Sequence, residues 1–176
     1  MKSNQARITP SITFDLPKEQ ASFIKVIGVG GGGSNAVNHM FQQGIRGVNF
    51  VICNTDSQAM ELSSIPNKIQ LGPSLTSGLG AGSDPGVGRK SAEESIEEIR
   101  AILEKNTKMV FITAGMGGGT GTGGAPVIAR LAKEMGILTV GIVTTPFTFE
   151  GKRKMTQAKD GIDEMRQSVD SIIIIS

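Results

Sequence analysis

Residues 115–124 read Gly-Met-Gly-Gly-Gly-Thr-Gly-Thr-Gly-Gly. A run so poor in Cβ atoms lets several backbone N–H groups converge on one point. It follows the apolar stretch Met109, Val110, Phe111 and Ile112 and precedes a segment from Ala125 to Leu131 with helical patterning. A helix that starts there adds the positive end of its dipole, so the chemistry expected of the turn is the capture of an anion. Thr120 and Thr122 contribute hydroxyl donors without charge. No lysine follows, so the GxxxxGK[ST] phosphate loop is absent and the cradle is of another kind. The competing reading, a flexible glycine linker, fits poorly between a strand and a well-patterned helix.

A second run, Gly28-Val29-Gly30-Gly31-Gly32-Gly33, satisfies GxGxxG, and Asp56 follows about twenty residues later, as in a dinucleotide fold. Alone this match is weak. An NAD-binding oxidoreductase has one turn of this kind and needs no second, richer one. Two glycine turns and a glycine-rich loop better suit a chain of two or three phosphates, so a nucleoside di- or triphosphate is preferred and NAD stays as the alternative.

The elements that must position these turns alternate. Ile24 to Val29 is a β-branched run, followed by the glycine turn and by Ala36, Val37, Met40 and Phe41 at helical spacing. Val48 to Cys53 makes a second strand, Ser57 to Leu62 a short helix, and Lys68 to Leu71 a third strand. Residues 72–88, with glycines at 72, 78, 80, 82, 86 and 88, read as a long functional loop. Ser91 with Glu94 then reads as a capping box for a helix burying Ala92, Ile96, Ile99 and Leu103. The helix after the central turn is expected to carry Pro126 in its first turn and Gly136 at its end. A fifth strand follows from Ile137 to Val143. A last helix, from about Lys152 to Arg166 with Met155, Ala158, Ile162 and Met165 inward, leads to a sixth strand at residues 171–175. This order predicts a parallel sheet covered on both faces, with the turns at 30–35, 54–56, 78–82, 117–123 and 146–150 gathered along its carboxyl rim.

Composition narrows the partners. The chain has 176 residues, is 38% hydrophobic and carries a formal net charge of +2, with 4% aromatics and neither Trp nor Tyr. That excludes a basic stripe and stacking platforms for nucleic acid. Residues 1–22 offer neither period for burial and are expected to be a mobile tail, with the ordered domain spanning 23–176. Neither a signal peptide nor a membrane span is expected, which points to the cytoplasm. Cys53, the single cysteine, reads as a buried reduced thiol. His39 reads as a helix-surface side chain, and the carboxylates Glu93, Glu94, Glu97 and Glu98 as a solvated face. No protein-only metal site is expected, although Asp56 could act on Mg²⁺ through water.

The residues at 117–123 resemble the signature of the tubulin/FtsZ GTPase family. So do residues 24–33, Asn54-Thr55-Asp56, Gly78-Leu79-Gly80-Ala81-Gly82 and Pro146-Phe147-Thr148-Phe149-Glu150-Gly151, in the same order along the chain. The resemblance implies a three-layer, Rossmann-like α/β fold with strand order 3-2-1-4-5-6. It implies that Gly31, Gly32, Gly33, Ser34 and Asn35, with Gly117, Gly118, Gly119, Thr120 and Gly121, hold the phosphates of GTP or GDP. Ala81, Gly82 and Ser83 would sense the terminal phosphate. Asn54 and Asp56 would lie beside phosphates and ribose, Thr144 and Pro146 near the sugar, and Glu150 on the ribose. Arg153 and Lys154 would face the nucleotide. The family usually has Arg where this chain has Lys154, which supplies the charge without the planar fork.

The family's central helix, its guanine-reading Asn, its stacking Phe and its water-orienting acids come later than Ser176. The sequence therefore reads as the nucleotide-binding part, cut before the central helix and C-terminal domain, with guanine specificity implied by the resemblance alone. The same resemblance implies head-to-tail filaments of the protein with itself, Mg²⁺ with the phosphates, and division-ring and membrane-tether partners at mid-cell without direct membrane insertion. It also implies a GTPase that works when assembled, the acids coming from the neighbouring subunit. No catalytic residue is then expected in this chain, which alone would bind GTP without turning it over.

Overall fold

Alternation along the strands decides how the sheet is covered. The computed structural model describes residues 22–176; all of the tail expected over 1–22 except Ser22 lies outside them. In β1 (Ile24–Val29) Ile27 and Val29 join one apolar cluster and Val26 the other. In β2 (Asn49–Asn54) Val51 and Cys53 face the first, Phe50 and Ile52 the second. Both clusters need a helical layer over them, since burying a large aliphatic side chain contributes about 1.5–3 kcal/mol. α1 (Gly30–Gln42) and α2 (Ser57–Glu61) cover the second through Val37 and Met60. α5 (Ile96–Glu104), α6 (Thr120–Glu134) and α7 (Lys152–Ser168) cover the first through Ile99, Leu103, Ile128, Ala158 and Met165.

With β3 (Asn67–Gln70), β4 (Met109–Gly115), β5 (Leu138–Thr144) and β6 (Ser171–Ile175) the sheet is six-stranded and parallel, in the order β3-β2-β1-β4-β5-β6. This is the expected three-layer architecture. The register sets Cys53, Val29, Ala114, Val143 and Ile174 at one level, which brings the carboxyl ends of the strands to one rim. At the other end of β1, buried Lys25 donates to the carbonyl of Lys105, the C-cap residue just past α5, at 2.8 Å, and to Thr107 Oγ1. A cation there complements the negative end of the helix. Burial, with Lys105 nearby, pulls its ammonium pKa below the usual lysine value. Cys53 is fully buried and its thiol is pushed up to about 12, so it stays protonated.

Several sequence expectations are corrected. The long loop at 72–88 contains a short helix, α3 (Pro73–Thr76), and ends at Pro85, where α4 (Pro85–Glu94) begins. The cap is Asp84, whose Oδ1 accepts the Gly86 N–H at 2.9 Å, with Pro85 first in the helix. Ser91 is mid-helix and packs against Gly72, where a Cβ would stand 2.5 Å from its hydroxyl. Glu94, exposed as expected of a solvated face, also reaches the N–H groups of Ser74 and Leu75, both at 3.1 Å, and so caps α3. Pro126 lies in the second turn of α6, because the helix starts at Thr120, among the glycines that read as turn. Met155 points to solvent, 40% exposed, while Ala158 and Met165 are buried and Ile162 is partly so.

α4 and α6 cross backbone to backbone. A Cβ on Gly123 would stand 2.7 Å from Arg89 N and 2.8 Å from the Pro85 carbonyl carbon. One on Gly31 would meet nothing within 4 Å. Gly123→Ala should therefore destabilise the domain by about 1–3 kcal/mol, as overpacking does, while Gly31→Ala changes stability little. Urea unfolding of the two variants against the parent checks this; equal stability of all three would refute the close crossing.

Candidate functional site

β1 and β4 are neighbours, yet the chain leaves β1 toward α1 on one face of the sheet and β4 toward α6 on the other. Such a switch of direction opens a crevice at the carboxyl ends of the two strands. Two helix starts meet in it. Gly30 turns out of β1 at φ +75, where a side chain would be strained, and a Cβ there would stand 3.0 Å from Gly121 N. A Cβ on Gly121 would lie 2.7 Å from the Gly115 carbonyl oxygen. The missing side chains are what allow the two helices to begin side by side.

Neither helix start is capped. α1 follows Val29 and α6 follows Gly119, neither with a side-chain acceptor nor an acid in its first turn. α2 and α4, by contrast, are capped by Asp56 and Asp84. Among the described residues the N–H groups of Gly31, Gly32, Gly118, Gly119, Thr120 and Gly121 donate to no protein acceptor. The first amides of a helix have no intrahelical partner, and two such ends with their dipoles aimed into one crevice form an anion site. The Gly117 N–H is not among these donors. It is held by Thr122 Oγ1 at 2.8 Å, so Thr122 shapes the turn from within.

The crevice is a cleft of about 580 Å³. Residues 30–32 and 115–121 form one bank and Thr144, Thr145, Pro146, Phe147, Glu150 and Lys154 the other, closed at the end of β6 by Ile175 and Ser176. On the second bank Glu150 is already engaged. Its Oε2 accepts the Phe147 N–H at 2.6 Å, and Oε1 lies 3.5 Å from Lys154 Nζ. Phe147 and Phe149 stack with ring centroids 5.3 Å apart, both exposed.

Behind the first bank, Thr55 Oγ1 and Thr120 Oγ1 share a buried hydrogen bond of 2.6 Å, fastening the end of β2 to the start of α6. The loop at 80–84 abuts Gly119, where a Cβ would stand 2.8 Å from Asp84 N and 2.9 Å from the Ala81 Cβ.

Of the residues expected to bind, Gly31, Gly32, Gly117, Gly118, Gly119, Thr120, Gly121, Thr144, Pro146, Glu150 and Lys154 line the cleft. Gly33 and Ser34 do not. Gly33 is buried against Thr113 and Gly28, and the Ser34 hydroxyl is buried without a hydrogen-bond partner. Asn35 and Arg153 are exposed outside the lining. Asn54 is buried, its Oδ1 accepting the Asp56 N–H at 3.3 Å. Asp56 Oδ1 caps α2 through the Ala59 N–H at 3.1 Å, instead of pointing into the cleft as a dinucleotide site would have it. Ala81, Gly82 and Ser83 lie beyond the lining, with Ala81 against Gly119. Sequence reasoning missed Thr55, although it stood between two residues already singled out. Among the described residues no three His, Cys, Asp or Glu side chains gather to hold a metal.

The model of the Tubulin/FtsZ family, GTPase domain, matches residues 23–176. A curated relative, cell division protein FtsZ of Porphyromonas gingivalis, is 58% identical over 154 residues, covering 87% of this chain and 34% of its own length. The solved FtsZ dimer of M. jannaschii, in its empty form, superposes with a TM-score of 0.85 at 44% identity, over 90% of this chain and 46% of that one. CetZ1 of Haloferax volcanii, a GDP-bound monomer, gives 0.80 at 27% identity, over 86% of this chain and 50% of that one. The chain thus spans about a third of the length of the curated relative and half or less of these solved chains.

The pair behind the first bank is open to a direct check. Thr120→Val leaves the buried Thr55 hydroxyl without a partner and should cost about 1–3 kcal/mol. Adding Thr55→Val should cost less than the sum of the two single changes, since both partners then go together. Urea denaturation of the four proteins in this cycle gives the coupling; strict additivity would show that the two hydroxyls do not act as a pair.

Proposed function

Because the chain belongs to the Tubulin/FtsZ family, GTPase domain, we propose that its cleft binds GTP and GDP as the nucleotide-binding part of a filament-forming cell-division GTPase. The observation that carries this reading is the convergence of two uncapped helix starts, with at least six unpaired amides, on one cleft. The phosphates lie against Gly31, Gly32 and residues 117–121, and the terminal one reaches toward Ala81, Gly82 and Ser83. Thr144, Pro146 and Glu150 face the sugar and Lys154 the phosphate charge. Gly33, Ser34 and Asn35 support the first turn of α1, and Asn54 and Asp56 hold the end of β2. Arg153 stands at the margin. Mg²⁺ would come with the phosphates, held through their oxygens and water, and would neutralise part of their charge; among the described residues no group of three acidic or other metal-ligating side chains gathers to hold it directly.

Turnover is the work of an assembly. Hydrolysis needs a positioned water, and orientation can supply about 7–11 kcal/mol of the barrier. The carboxylate on the cleft wall, Glu150, is bound to Phe147 and paired with Lys154, and Asp56 caps α2. The acids then come from a neighbouring subunit in a head-to-tail filament, at a mid-cell division ring with its other proteins. The dimeric M. jannaschii structure supports such self-association. No helix among the described residues is long and apolar enough to cross a membrane. An NAD-dependent oxidoreductase is not favoured, since the family match and the Asp56 cap both speak against it.

Calorimetric titration with GTP, GDP, ATP and NAD tests the reading. GTP and GDP should bind, ATP and NAD should not, and phosphate release by this chain alone should stay at the buffer blank. Gly118→Asp is the sharpest variant, because a Cβ there meets nothing within 4 Å and the fold should be untouched. Its carboxylate beside the phosphates should weaken GDP at least about tenfold, or 1.4 kcal/mol. Unchanged affinity in this variant would overturn the cradle.

A further inference from the structure

The loop at 80–84 is fastened at both feet. At its entry Gly80 N donates to the Thr55 carbonyl at 3.3 Å and Leu79 bridges Asp56; at its exit Asp84 caps α4. Its tip is held differently. Gly82 and Ser83 both adopt left-handed backbone, φ +61 and +60, a strained state for serine. Gln157 of α7 donates from Nε2 to the Ser83 carbonyl at 3.3 Å. Among the described residues it is the one side chain from outside the loop bonded to residues 81–83.

The orientation of this amide is dictated. A carbonyl can only accept, so nitrogen must face Ser83 and oxygen must face away. Gln157 Oε1 is buried without a partner, beside a separate cavity of about 250 Å³ that Arg89, Asp160 and Glu164 also line. Turning the amide over would set two oxygens against each other, so the donor stays on the loop.

We propose that Gln157 is a positioning residue which, by holding Ser83, keeps the loop tip where it can meet the terminal phosphate and so sets the preference for triphosphate over diphosphate. This rests on the nucleotide reading above. Among the described residues the N–H groups of Ala81, Gly82 and Ser83 have no protein acceptor. The loop that carries them abuts Gly119, where a Cβ would stand 2.9 Å from the Ala81 Cβ. A diphosphate seated on residues 117–121 does not need them, whereas a third phosphate extends the ligand toward them. Gln157 lies outside the cleft lining, and it joins this loop to the helix that carries Lys154, on the opposite bank.

The test compares dissociation constants for GDP and a non-hydrolysable GTP analogue in Gln157→Met, which keeps the volume and removes the donor, and in Gln157→Lys, which keeps a donor. Gln157→Met should weaken the GTP analogue about fivefold, or ~1 kcal/mol, and GDP by less than about twofold, with the melting temperature unchanged. Gln157→Lys should restore the ratio. If Gln157→Met fails to fold, Gln157→Glu carries the same test, since a carboxylate facing the Ser83 carbonyl should disturb the ratio at least as much. Equal weakening of both nucleotides, or no change in either, overturns the proposal. Failure of the parent protein to bind either nucleotide would instead overturn the nucleotide reading, and this inference with it.

Discussion

Amides that have lost their partners govern this structure. A helix cannot satisfy its own first N–H groups, and the chain caps α2 and α4 with aspartates while leaving α1 and α6 open at the same crevice. Everything around the crevice keeps those open ends close and still. The parallel register of β1 and β4 sets Val29 beside Ala114, so both strands end at one level. Bare Cα atoms at Gly30 and Gly121 let the starts touch. The Thr55–Thr120 pair and the Gly117–Thr122 bond take up polar groups that could otherwise compete for the ligand.

The glycines fall into physically different sorts, and this explains what could be read from the sequence. Strand order and the rim were legible, because β-branched runs alternating with helical spacing leave few arrangements for a parallel sheet, and five motifs agreed with one family. Which glycine does what was not legible. Gly33 and Gly28 serve the contact of α1 with the sheet, Gly88 and Gly123 the crossing of α4 and α6, while exposed Gly31 and half-buried Gly118 have room above them. A sequence shows only the absence of a side chain. What fills the vacated space is decided by elements far away in the chain.

Polar side chains were misread for a related reason. Ser91 and Glu94 have the spacing of a capping box, but Asp84 and Pro85 had already started the helix, and Glu94 found its amides on α3, about twenty residues back in sequence. The pair Asp84-Pro85 carried the better signal, an N-cap acid followed by proline. Asp56 has the spacing of a ribose-binding acid and caps α2 instead. In both cases a local pattern was true as a pattern while a nearer donor claimed the carboxylate.

The sealed thiol at Cys53 has a practical side. The chain holds a single cysteine, wholly enclosed and protonated at ordinary pH, so a second one engineered on an exposed face would be the sole target for a maleimide dye. The sequence also lacks tryptophan and tyrosine, which leaves the near-ultraviolet emission window dark. A fluorophore installed by either route would report on its own surroundings against almost no background, so the two banks of the cleft can be watched separately in an otherwise unaltered protein.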